Sequence, residues 1–329
     1  MTRARAAAML LITALFRAAA AWASDDAAPP EPVGDASATA TEAPGSTAQE
    51  ADEKARAKAS LTAVNKSLTD PLSEVWSIAL AQNNFRLTPG NGADDRWNSR
   101  LQFQAALPIS LTPSLDLITR PYIDLFNSQP HPAPGNPTEL DRTTGLGDIV
   151  LLQLLAPRRE WLGNWLLGVG VTWVFPSGTS QWTSSGKWQV GPAAVFGYLS
   201  EKWILAALVQ DWESFGGSGP LEVKSTSVQP VAAYFLPNGW SIGYSGNLLA
   251  NRTTGVTGRY TVPVGLQVGK VVLFGSTPVK FALAGQWMPV HPSRFGQVWN
   301  MQLFLQVLRP KLLRGTLSDP ASLRLRWEP

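Results

Sequence analysis

Apolar residues alternate with small or polar ones along the C-terminal part of this chain. Trp240–Gly246, Tyr260–Val268, Val279–Trp287 and Trp299–Val307 all show the pattern. Successive side chains of a strand point to opposite faces, so each stretch predicts a strand with one apolar and one polar face. Here the apolar face carries Trp, Tyr, Leu, Val and Met, and the other carries Ser, Gly, Gln, Asn and Lys. Segments of about ten residues, repeated with turn residues between them, mark a transmembrane barrel with lipid outside and a polar lumen.

Twelve strands are predicted, near 76–86, 97–108, 114–126, 146–155, 164–175, 187–198, 203–214, 224–235, 240–249, 259–270, 279–288 and 298–308. The loops between them alternate between short and long, as in barrels with tight periplasmic turns and longer outer loops. The fold class is therefore all-β: an antiparallel up-and-down transmembrane barrel over residues 71–310. Trp76, Trp165, Trp203 and Trp240 fall on the short-turn side. Trp97, Trp173, Trp188, Trp212, Trp287 and Trp299 fall on the long-loop side. Two such groups predict aromatic belts at the two lipid–water interfaces. Pro121, Pro192, Pro230 and Pro263 lie inside strands and demand bulges or missing ladder bonds. The last strand, Trp299 to Arg309, should pair with the first near Ile78 to Asn84, because lipid tolerates no free edge.

The flanks read differently. Met1 to Ala23 has a basic start, an apolar run and an Ala-Trp-Ala site, the pattern of a secretory signal peptide. Residues 24–70 are rich in Ala, Pro, Thr and acids, and predict a disordered periplasmic tail. Gln49 to Leu68 could form a short helix, stopped at Pro71. A tether to the cell wall or a plug is the less favoured reading of this tail. Residues 311–329 are a C-terminal extension, with Arg324–Trp327 a weak alternative strand.

Composition removes several classes. The chain has 329 residues and no Cys, which excludes disulfides and thiolate sites. The leader arginines Arg3, Arg5 and Arg17 account for the whole formal charge of +3, so no nucleic-acid partner is expected. After the leader no run of about twenty apolar residues occurs, so helical membrane spans are not expected.

Several motifs, taken in order, carry a resemblance. They are Gly145–Ile149, Trp173–Thr179, Gly186–Pro192, Gln229-Pro230, Asn238–Trp240 and Tyr260–Gly265. Together they resemble the bacterial outer-membrane barrel family associated with the MetA pathway of phenol degradation, some members of which carry the name neuromedin U. The resemblance runs from about Asp70 to Pro310. It implies a barrel that moves small, including aromatic, compounds, and it implies no catalytic residues. The long acidic tail and the chain beyond Pro310 depart from the family pattern.

Catalytic chemistry is not expected. His131 and His291, the two histidines, sit between prolines in long loops, and no nucleophile motif accompanies Ser293. Asp94, Asp95 and Asp141 read as solvated loop acids, and Gly145-Leu-Gly-Asp lacks the rest of a phosphate loop. No cofactor or metal is implied.

The lumen face is more informative. Candidate lumen-lining residues are Arg100, Asp116, Arg120, Tyr122, Asp124, Lys187, Arg259 and Lys280. Charges are costly in lipid and cheap in a wet lumen. A hairpin turn near Leu111 would set Gln102 opposite Arg120 and Tyr122 opposite Arg100, an arginine patch suited to anionic or aromatic solutes. Such a chain would reside in the cell outer membrane, with lipid and a small solute as partners. It would act as a passive channel or transporter, or alternatively as a structural or surface-interaction barrel with a plugged lumen. The sequence leaves the oligomeric state open.

Overall fold

The computed structural model describes residues 60–88, 97–309 and 313–325. The signal peptide and the tail before residue 60 lie outside the described residues, as do Asp94 and Asp95.

The β-strands are β1 (Trp76–Leu87), β2 (Trp97–Thr112), β3 (Leu115–Ala133), β4 (Asn136–Leu146), β5 (Ile149–Pro157), β6 (Trp165–Phe175), β7 (Lys187–Leu199), β8 (Trp203–Gly217), β9 (Lys224–Phe235), β10 (Trp240–Tyr244), β11 (Leu248–Asn251), β12 (Tyr260–Phe274), β13 (Thr277–Val290) and β14 (Gln297–Arg309). They form one 14-stranded antiparallel sheet. Two staves are each broken in two. β4 and β5 share one, both pairing β3, and β10 and β11 share another between β9 and β12. The barrel therefore has 12 staves, as the alternation predicts. β1 pairs β14 with Ile78 opposite Val307 and Asn84 opposite Met301, which closes the circuit where expected.

Period-two burial shows which face is which. In β1, Ser77, Ala79, Ala81, Asn83, Phe85 and Leu87 are buried, while their neighbours face outward. Trp97, Trp165, Trp173, Trp188, Trp203, Trp240, Trp287 and Trp299 are exposed on the outer face. Trp212 is a correction to the belt. It falls in phase with inward Ile204, Leu208 and Gln210 and lines the interior.

The lumen is also less polar than the alternation suggests. Along β5 to β8 the inward residues include Leu152, Leu154, Ala156, Leu166, Ala193, Val195, Leu199, Ile204, Ala206 and Leu208, which pack as one buried cluster. Nearer the long loops the same inner face turns polar, with Thr172, Gln189 and Gln210 buried and Thr172 Oγ1 donating to Gln210 Oε1 (2.9 Å). The polar wall belongs to β1, β2, β13 and β14. There Asn300 Nδ2 donates to Asn83 Oδ1 (3.0 Å) and to Gln286 Oε1 (3.1 Å). Gln302 Nε2 donates to Asn83 Oδ1 (3.0 Å), and Gln286 Nε2 donates to Ser245 Oγ (2.7 Å).

Two glycines are required by geometry. In the β9–β10 turn, Asn238 and Gly239 both take positive φ (61° and 75°), a conformation Asn and Gly tolerate best. A Cβ on Gly170 would lie 1.8 Å from the Gln153 carbonyl oxygen of the neighbouring strand. Gly170→Val should destabilise the barrel by more than the ~1–3 kcal/mol of ordinary overpacking. The expected result is loss of the heat-modifiable folded band in gel electrophoresis.

β15 (Leu313–Thr316) and β16 (Asp319–Leu325) form a separate two-stranded hairpin. The backbone N–H groups of Leu317 and Ser318 donate to the Ser110 and Leu111 carbonyls (both 2.9 Å). The extension therefore docks at the β2–β3 turn and takes no part in barrel closure.

Candidate functional site

The described part of the N-terminal segment is helical from 60 to 69, and its end enters the barrel. We call this helix α1. Leu61, Val64, Leu68 and Leu72 recur at helical spacing, but spacing alone does not say what such a stripe packs against. Asn65 is fully buried, and its Nδ2 donates to the Gly239 carbonyl (2.8 Å). Thr62 Oγ1 donates to the Leu236 carbonyl (3.3 Å). Lys280 Nζ donates to Thr69 Oγ1 (2.7 Å). Asp70 pairs with Arg159 in the β5–β6 turn, and the Leu72 N–H donates to Asp70 Oδ1 (2.9 Å). Leu72 then joins the buried cluster of the inner wall. Residues 60–72 thus reach from the β9–β10 turn to the β5–β6 turn at the short-turn mouth. Residues 60–70, which the sequence reads as part of a tail, are docked against the barrel at this mouth. The physical reason is complementarity: Leu72 meets apolar staves, and Asn65 and Thr62 meet turn carbonyls.

Inside the barrel lies a cavity of about 370 Å³. Thr69 and Asp70 line it, with Gln102, Gln104, Gln229, Gln267 and Gln302 among the polar side chains and Leu152, Leu208, Val231 and Phe304 among the apolar ones. Stave nine bends between β10 and β11. There Ser245, Gly246 and Asn247 reach the cavity, Ser227 Oγ donates to Asn247 Oδ1 (2.8 Å), and Tyr244 Oη donates to the Pro263 carbonyl (2.8 Å).

The eight candidate lumen residues separate. Arg100, Arg120, Tyr122 and Lys280 line the cavity. Arg100 Nη1 donates to Asp124 Oδ2 (3.3 Å), and its guanidinium carbon lies 4.7 Å from the centre of the Phe85 ring. Asp124 also accepts from Gln102 Nε2 (2.9 Å). Asp116 is buried at the short-turn rim and accepts from Arg158 Nε (3.2 Å). Lys187 lies at the long-loop rim, with Nζ 3.5 Å from the Gly217 carbonyl. Arg259 closes a helical turn, Val256–Arg259, at that same rim, and its Nε is buried without a partner.

The expected hairpin register is corrected. The turn falls at Pro113 and Ser114, with an irregularity between Ser110 and Thr112. Gln104 stands opposite Tyr122, Gln102 opposite Asp124 and Arg100 opposite Phe126. Arg100 and Arg120 therefore do not sit as the sequence reading paired them. Arg100 is committed to Asp124 and Phe85.

Burial pushes the Asp70 carboxyl above the ordinary carboxylate range; Arg159 and, more weakly, Arg120 pull it back. The docked acid holds its proton better than a free one, so docking weakens as pH rises through the range above the ordinary value. Plug protection from protease should therefore decline as the pH is raised from about 4, the ordinary carboxylate value. The Asp70 side chain is 2% exposed and that of Arg159 37%. Arg159→Ala leaves a buried carboxylate unpaired, which costs several kcal/mol in a dry site. Discounted for the solvent around Arg159, it should loosen the plug by about 1–2 kcal/mol and speed cleavage within 60–70 roughly tenfold.

Sequence reasoning missed a second cluster, at the long-loop rim. Asp148 Oδ1 accepts from the Gly178 N–H (3.2 Å) and Ser184 Oγ, and Oδ2 accepts from the Ser185 N–H (2.9 Å) and Oγ (2.8 Å). This ties down the β6–β7 loop. Trp182 of the same loop stacks on His131, with centroids 4.4 Å apart and planes 6° off parallel. His131 Nε2 and Thr143 Oγ1 share a hydrogen bond (2.8 Å). The signal was Gly147-Asp148 followed by a serine-rich loop, visible only once the two were known to meet. Asp141 sits opposite His131 in the β3–β4 pairing, and His291 Nδ1 lies 3.0 Å from the Pro292 carbonyl.

An outer-membrane channel from Pseudomonas putida shares the fold, with a TM-score of 0.51 and 17% identity over 73% of this chain and 98% of that one. The transport unit of the autotransporter AIDA-I from Escherichia coli is more distant, with a TM-score of 0.37 and 12% identity over 78% of this chain and 98% of that one. Outer membrane phospholipase A from Escherichia coli has the same TM-score and identity, over 77% and 99%. The last two likenesses are too weak to carry an argument. No protein-family model matches the chain. No curated protein matches it in sequence.

Proposed function

We propose that this chain is an outer-membrane conduit for small solutes, closed at its periplasmic mouth by residues 60–72. The observation that carries it is the cavity of about 370 Å³ above the plug, polar on one wall and apolar on the other. A barrel built only as a wall would fill this space with side chains. Such a lining suits a small amphipathic molecule, which buries its apolar body and keeps its polar end hydrogen-bonded. The aromatic cargo implied by the family resemblance has this character. The outer Trp rings and the sorted loops support residence in the outer membrane, short turns inward.

Conductance of the purified protein in a planar bilayer tests this reading. Discrete openings that increase when the plug is weakened are expected. A chain that stays silent with its plug removed would be a structural barrel instead. The full burial of Asn65 and the packing of Leu72 favour that second reading, since a well-seated plug opens rarely. We propose no enzymatic role: His131 is occupied by Trp182 and Thr143.

A further inference from the structure

The floor of the cavity carries more positive charge than its own acids neutralise. Arg158 is paired with Asp116, and Arg159 with Asp70. Arg100, higher on the wall, is paired with Asp124. Arg120 and Lys280 remain. Lys280 is 6% exposed, and its hydrogen bond goes to a neutral hydroxyl, Thr69 Oγ1. Among the described residues Arg120 makes no ion pair and no hydrogen bond; its neighbouring carboxylate, Asp70, is held by Arg159. Both cations line the one cavity. Each faces the end of α1, Lys280 through its bond to Thr69 and Arg120 through its electrostatic interaction with the next residue, Asp70. The carbonyls at that C-terminal end favour cations but supply no full charge.

An unpaired cation out of bulk water is costly, and a chain keeps one where a ligand or partner completes it. Arg offers a planar fork to an oxyanion and Lys a compact charge. Leu152, Leu208 and Val231 line the same cavity with apolar surface. A volume of about 370 Å³ is that of a small-molecule site rather than an ion site.

We propose that Arg120 and Lys280 form a binding site for the carboxylate of a small organic acid whose apolar body lies on the Leu152–Leu208–Val231 wall. The inference rests on the conduit reading and gives its cargo a charge. It also ties cargo to plug, because the carboxylate takes up the same cations that Thr69 and Asp70 face.

The test is binding by fluorine NMR to the full chain in phosphatidylcholine nanodiscs. The probes are 4-fluorobenzoate and its neutral analogue 4-fluorobenzamide, with acetate as competitor. The benzoate should bind about tenfold more tightly than the amide, and acetate should compete at least tenfold more weakly than unlabelled benzoate. Arg120→Gln with Lys280→Gln should weaken the benzoate about tenfold and leave the amide unchanged, which also shows the variant folded. Equal binding of acid and amide, or an unaltered double variant, overturns the site. Acetate as strong as benzoate overturns the apolar part. If plug-weakened protein conducts while benzoate shows no preference, this inference falls and the conduit stands. If nothing conducts and benzoate still binds with the stated preference, the site stands without the conduit.

Discussion

Deleting residues 60–70 should raise single-channel conductance in planar bilayers at least tenfold over the parent. The deletion removes the buried Asn65 contact to Gly239, the Thr69 contact to Lys280 and the Asp70 pair with Arg159. It spares Leu72, so the apolar cluster of the inner wall keeps its closing residue. It spares β1 as well, so the seam with β14 is untouched. Opening a mouth now crossed by a helix about 10 Å across should leave an aqueous path of that order. The folded state is checked by heat-modifiable migration. Persistent silence in a correctly folded deletion would overturn the conduit and leave the structural barrel.

The largest effect of all is expected from the seam. A chain ending before Gln297 loses β14, and with it the partners of both β1 and β13. Two rows of backbone donors and acceptors would then face hydrocarbon, at several kcal/mol for each unsatisfied group. No folded barrel should be recovered. A chain ending after Arg309 loses only β15 and β16, which touch the barrel through the Ser110 and Leu111 carbonyls. It should fold with a melting temperature within a few degrees of the parent. Loss of assembly in that second truncation would place an insertion signal in the extension.

The staves were legible because strand alternation is local. Val279–Trp287 shows its two faces without reference to any neighbour. Closure followed from the even count and the intolerance of edges in lipid. The β2–β3 register was not legible, because the strands run on to Thr112 and Leu115 and one irregular step near Ser110 moves every later pair. Nor was the apolar inner wall. Ile149 to Leu155 is apolar at nearly every position, and such a run does not say whether its second face meets lipid, a core or another segment. The short helix was legible, but docking at the mouth was the less favoured reading, because helical spacing does not say what a stripe packs against. Of the candidate lumen residues, Arg100, Arg120, Tyr122 and Lys280 line the cavity because they lie at mid-height or near the plug. Asp116 and Lys187 share the inward phase but stand at the rims, and Arg259 lies in a helical turn there; height in a barrel depends on shear, which one strand does not reveal.

The β3–β4 hairpin has a further consequence. β3 is 19 residues long, whereas about ten suffice to cross a bilayer at the usual tilt. Roughly nine residues remain, or about 30 Å along the strand. With short turns inward, this ribbon is a mast standing clear of the lipid, stayed by the Trp182–His131 stack. Its tip turns at Gly135, where φ is +80° and a Cβ would have nothing within 4 Å. A peptide epitope spliced in at the tip should be tolerated without disturbing the barrel beneath.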